Sequence, residues 1–170
     1  MCFDFPPERK APNRCLQVYR PNKNEQFRMT TDNVIKELNQ MTIVDSEDYD
    51  NLERIDELID FLKENKDGHL ACEAMISLLE RHPNVEFGTP GQPIHALESY
   101  SGHYEELLMA SLDRQPTFMT IWMLNRILNA EKGSKKDSLI EKMKSCISHP
   151  LADEQAKESA KEFYTYQTKE

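Results

Sequence analysis

A short pattern recurs in the second half of this chain and restricts its fold more than any other feature. Ser77-Leu78-Leu79-Glu80-Arg81-His82-Pro83 returns as Ser111-Leu112-Asp113-Arg114-Gln115-Pro116 and, more faintly, as Ser145-Cys146-Ile147-Ser148-His149-Pro150. Pro83, Pro116 and Pro150 lie 33 and 34 residues apart. Each proline follows an amphipathic run of about thirteen residues and precedes another, the pattern of a helix, a turn and a second helix. Proline is expected at the first position of each second helix, where its missing N–H costs nothing. A single helical hairpin cannot bury its apolar face, whereas stacked hairpins bury a continuous one. After Pro83 the regular pattern is interrupted by Asn84 to Gln92, an insertion rich in glycine and proline, and a helix resumes at Pro93-Ile94.

From residue 31 onward nearly every segment has the helical period and no strand alternation is convincing. Val34, Ile35, Leu38 and Met41 form one stripe, with Thr31 the expected N-cap. Leu52, Ile55, Leu58, Ile59 and Leu62 form a second, and Ala71, Ala74, Met75, Leu78 and Leu79 a third. Further helices are expected over about 92–100, 103–114 and 117–130, then along Leu139, Ile140, Met143, Cys146 and Ile147, and last over about 151–165, with Gly133 as a stop signal. The fold class is therefore all-α, a short α-α superhelix of stacked hairpins. The spacing is close to that of tetratricopeptide repeats, but their Trp, Gly and Tyr signature positions are missing, so the stack is described as HEAT-like.

Residues 1–28 differ from the rest. Six cations against three acids give this segment a charge of +3, four of the nine prolines lie in it, and the remaining 142 residues carry −12, which brings the whole chain to −9. It is expected to be a poorly ordered arm preceding a single helical domain at 29–170, and Met29 has the look of an ordinary chain start. A short strand at Cys15-Leu16-Gln17-Val18-Tyr19 is the alternative. The acidity of the body disfavours nucleic acid as a partner, since phosphate binding needs cations to displace counterions. The longest uninterrupted apolar stretches have four residues, as at Ile121 to Leu124, far from the ~20 that span a membrane. No basic segment followed by an apolar run opens the chain, so no secretory signal is expected and the localisation expected is cytoplasmic.

Cys2, Cys15, Cys72 and Cys146 are scattered without a Cys-x-x-Cys and are expected to be reduced, the last two as small core hydrophobes. His69 with Cys72 and His95 with Glu98 have helical i,i+3 spacing, but two ligands are fewer than any zinc site uses, so no metal and no cofactor is expected. His82 and His149, before prolines at helix ends, are expected to complement the helix dipole. No phosphate-binding glycine loop, nucleophile elbow or metalloprotease motif occurs, and no enzymatic activity is expected.

Two features stand out against a merely solvated surface. Between Asp45 and Asp67 ten acids face three cations, and Asp56, Asp60 and Lys63 lie opposite the apolar stripe, so this segment, with Asp48, Asp50, Glu53 and Glu57, offers a strongly negative outer face. Together with Glu86 and Phe87 of the insertion they are the candidate partner-binding residues. The second feature is Asn125-Arg126 inside the apolar helix around Trp122. A guanidinium buried there must find a carboxylate or helix-end carbonyls, because an unpaired buried charge costs several kcal/mol. A structural clamp is expected first and a ligand contact second.

His95-Ala96-Leu97-Glu98, His103-Tyr104-Glu105-Glu106-Leu107-Leu108, Ser111 to Thr117 and Ile121-Trp122-Met123-Leu124-Asn125-Arg126-Ile127-Leu128-Asn129 resemble the small all-helical immunity proteins of bacterial polymorphic toxin and contact-dependent growth inhibition systems. The resemblance covers about residues 70–131. It implies a cognate inhibitor that binds a toxin domain, often a nuclease, and occludes its active or docking surface. Under it, Trp122, Asn125 and Arg126 hold the fold rather than touch the toxin. The acidic body agrees in sign with a basic, nucleic-acid-cleaving partner. The alternative is a HEAT-like adaptor or scaffold without catalytic activity.

Overall fold

A computed structural model describes residues 29–169. The expectations for the arm at 1–28, for the strand alternative at 15–19 and for Cys2 and Cys15 fall outside the described residues. Among those described, eight α-helices and one 3-10 turn account for the regular structure, with no strand: α1 Thr31–Gln40, α2 Tyr49–Glu64, the 3-10 turn Gly68–Ala71, α3 Cys72–Arg81, α4 Gln92–Ser99, α5 Glu105–Arg114, α6 Phe118–Ala130, α7 Gly133–Cys146 and α8 Glu154–Gln167. The chain is all-α.

The helices pack largely on their sequence neighbours at one and two removes. α1 meets α2 and α3, α2 meets α4, α3 meets α5, and α6 meets both α7 and α8. The apolar stripes converge on one continuous core that runs from Val34 and Leu38 in α1 through Leu58, Met75, Leu97 and Leu124 to Ala156 and Ala160 in α8. Cys72 and Cys146 belong to that core, and burial pushes each thiol up to about 11. Close approach accounts for Gly68: a Cβ there would lie 2.2 Å from the Leu62 carbonyl oxygen and 2.5 Å from the Tyr100 hydroxyl.

The repeated pattern has a physical counterpart. Arg81 at the end of α3 donates to the Leu38 carbonyl in α1 at 2.8 Å, and Arg114, its repeat mate in α5, pairs with Glu80 in α3 at 2.8 Å. In the third copy, His149 reaches the Asp113 carbonyl of α5 at 3.1 Å, while Lys142 pairs with the Asp113 carboxylate at 2.6 Å. Each copy thus reaches back to the unit before it.

Several local expectations are corrected. Thr30 is the N-cap of α1, accepting from the Asn33 N–H, and the Thr31 hydroxyl donates instead to Asp67 at 2.6 Å. Pro116 does not occupy the first position of α6. It precedes the N-cap Thr117, which forms a reciprocal capping box with Thr120, and Pro150 lies further out still, ahead of the N-cap Asp153 of α8. Hydroxyl and carboxylate caps satisfy the free N–H groups that proline was expected to remove. Pro93 is the second residue of α4, one place in from the expected first, where its missing N–H is still without an intrahelical partner. His82 is the C-cap of α3, as its place before Pro83 implies. Burial holds its imidazole below the ordinary range, against opposing contributions from the Met41 and Ile43 backbone.

Candidate partner-binding surface

Helix α2 turns Ile55, Leu58, Ile59 and Leu62 into the core, which leaves Asp50, Glu53, Asp56, Glu57 and Asp60 exposed. The exposed acids are not equivalent. Glu57 is turned toward α1 and accepts from Arg54 at 2.7 Å, and the same guanidinium holds Glu37 of α1 at 2.6 and 3.0 Å. Arg54 lowers the Glu37 carboxyl below its usual range. Asp60 pairs with Lys63 at 2.9 Å, and Lys63 also donates to Gln92 of α4 at 2.7 Å. Among the described residues no ion pair engages Asp50, Glu53 or Asp56. Burial first, then the neighbouring Asp60 and Glu53, push the Asp56 carboxyl above its ordinary value, with Lys63 opposing. A carboxylate in that position is one that an incoming cation would stabilise.

Asp48 is a correction. It is half-buried and its carboxylate closes the α1–α2 loop, accepting from the Val44 N–H at 3.1 Å and from the Asn51 amide at 2.9 Å. Those bonds, Asn51 first, lower its pKa. Both local bonds fall on the same carboxylate oxygen, Oδ2. Phe87 is a second correction, since it is only 8% exposed and belongs to the core. The aromatic that this region presents is Tyr49, 71% exposed.

The insertion does come to the acidic helix. The Glu86 N–H donates to Ser46 Oγ in the α1–α2 loop at 2.9 Å, and a recess of about 220 Å³ is lined by Tyr49, Leu52 and Asp56 from one side and by Glu86, Phe87 and Gly88 from the other. Gly91 permits the insertion to close on itself. Its φ is +85°, and a Cβ there would lie 2.0 Å from the Phe87 carbonyl oxygen. On the far side of the same insertion a second recess, of about 290 Å³, opens between Pro83 to Pro90 and the first turns of α6. Sequence reasoning missed it because nothing local says which side of an all-apolar helix faces a gap.

α6 supplies the third correction. Asn125 is buried and accepts from Gln167 of α8 at 2.8 Å. Arg126 is not buried: its side chain is 47% exposed. It pairs with Glu98 of α4 through both carboxylate oxygens and its guanidinium lies 4.7 Å from the centre of the half-buried Trp122 ring. The clamp is present, but at the surface. Beyond it, a cleft of about 640 Å³ between the α4–α5 turn and the α6–α7 turn is floored by Met109, Ile127 and Leu139 and edged by Glu105 and Glu106. It too had no signature in the sequence.

The histidine pairs are not assembled as ligand sets. Cys72 is buried, Glu98 is engaged by Arg126, and His69 instead faces His103, their rings 4.2 Å apart. Among the described residues no group of three or more His, Cys, Asp or Glu side chains is placed to hold a metal ion. No described helix is long and apolar enough to cross a membrane. What the surface offers chemically is carboxylate and apolar contact. Comparison with family models, with curated proteins and with solved structures gives no match to this chain.

Proposed function

We propose that this protein is an immunity protein that binds and neutralises a cognate toxin domain, a basic one of nuclease type, by covering its active or docking surface. The observation that carries this reading is the strip of exposed acids on α2, Asp50, Glu53, Asp56 and Asp60, joined through the Ser46 bond to Glu86 of the insertion. A nuclease must present cations to phosphate, and an array of carboxylates competes for the same cations while speeding encounter. The sequence resemblance over about 70–131 points to the same class. In this reading the hairpins form a HEAT-like superhelix. The protein acts in the cytoplasm, without cofactor or catalysis of its own.

The test co-expresses the chain with the reading frame immediately upstream of its gene in the native host and scores survival. Glu53→Lys, Asp56→Lys and Asp60→Lys together should leave helicity intact and abolish protection. Full protection by this triple variant would overturn the reading. An adaptor that joins two proteins is the second reading, favoured by the separate 640 Å³ cleft at the other end of α6.

A further inference from the structure

We infer that the recess between the insertion and α6 is an anchor pocket for one large apolar side chain of the partner, flanked in the partner by lysine or arginine. This rests on the reading of a basic protein partner and says how that partner is recognised. The walls are Val85, Pro90, Phe118, Met119 and Trp122, and they enclose about 290 Å³, with Glu86 and Gln155 also lining the recess. Phe118 and Trp122, one helical turn apart, are half-exposed, as is Ile127, whereas the apolar side chains at 121, 123, 124 and 128 of the same helix are covered.

Part of the pocket wall is braced before anything enters it. Arg126 stacks on Trp122 and is itself held by Glu98, so the indole is fixed in place, and a preorganised aromatic wall spares the ordering cost of binding. Val85 and Met119 are 7% and 8% exposed and so are fixed by the core. Charge then selects the neighbours of the anchor. Glu86 and Gly88 line both this recess and the one that contains Asp56, so the two recesses lie back to back across the insertion. Their described linings hold two carboxylates and no lysine or arginine. An apolar side chain filling the recess would bring its chain neighbours to Glu86, the carboxylate the two recesses share. Aromatic anchors in desolvated pockets, ringed by weaker contacts, dominate protein interfaces in the same way.

Trp122 is the single tryptophan of the chain, so its emission reports on the pocket. The full chain is titrated with acetyl-Lys-Phe-Lys-amide, acetyl-Lys-Ala-Lys-amide and acetyl-Glu-Phe-Glu-amide. The first should give a saturable change in Trp122 emission, and the other two should bind at least about tenfold more weakly. Gln155→Phe, at an exposed position on the pocket lining, should abolish the response without changing the thermal midpoint, and Glu86→Lys should weaken it. Absence of a saturable change, equal binding of the Phe and Ala peptides, or a normal response in Gln155→Phe overturns the pocket. Equal binding of acetyl-Glu-Phe-Glu-amide leaves an apolar pocket but overturns its selection of a cationic flank, and with it the support this surface gives to a basic partner.

Discussion

Arg126 is exposed and Trp122 only half-buried, which changes what their removal should cost. Because the indole is half-covered, Trp122→Ala should destabilise by about 2 kcal/mol, less than the loss of a fully buried ring. Arg126→Met leaves Glu98 without its cation and removes the stacking, and about 1 kcal/mol is expected. Denaturant midpoints of the two variants check both values. Gly91 is less forgiving, since Gly91→Ala sets a side chain against the Phe87 carbonyl at a φ of +85°. Hydrogen exchange should show the 82–91 segment loosened while α1 and α2 stay protected. The two core thiols give a pH signature. With Cys72 and Cys146 pushed up to about 11, the folded chain keeps protons that an unfolded thiol, at about 8.5, gives up. Proton binding is then greater in the folded state between those values, so stability falls as pH rises through that window. The thermal midpoint should drop across it, and Cys146→Ala should reduce the slope.

At the scale of the element, α2 has a conflict built into it. Its outward carboxylates repel one another, and Asp56, raised above its ordinary value, is destabilising in its charged form. As pH falls toward that raised value the folded state takes up a proton before the unfolded state does, so this residue's contribution becomes more favourable on mild acidification. Asp56→Asn should therefore raise the thermal midpoint at neutral pH while weakening partner binding, two readings taken on one variant. The helix itself was legible in the sequence, because Ile55, Leu58, Ile59 and Leu62 state both its period and its inner face. So were the other helices and the outward direction of Glu53, Asp56 and Asp60. The local commitments of the acids were not. Glu57 depends on how Arg54 bridges to Glu37 of α1, and Asp48 on a loop bond to Val44. Phe87 looked like an exposed loop aromatic, yet the insertion folds back and the core absorbs it. The proline punctuation located the turns correctly but not the helix starts, since Thr117 and Asp153 do the capping. Recesses form between elements and so leave no trace in a local pattern.

For the whole molecule, charge opposes compactness. The body of −12 repels itself, and screening shortens the range of that repulsion. Raising salt from low to physiological ionic strength should raise the thermal midpoint, and it should slow association with a basic partner. A fall in midpoint would mean that the surface ion pairs, such as Arg114 with Glu80, outweigh the repulsion. The backward reach of each repeat has a further consequence, for the order in which the chain is made. Domains acquire structure from the N-terminal side as they leave the ribosome. Arg81 emerges after the Leu38 carbonyl it needs, Arg114 after Glu80, and His149 after Asp113. Every new hairpin thus finds its acceptor already in place, so synthesis and docking run in the same direction. The recess beside the insertion is completed only when Gln155 of α8 arrives. A nascent chain therefore displays its acidic helix early and its anchor pocket last.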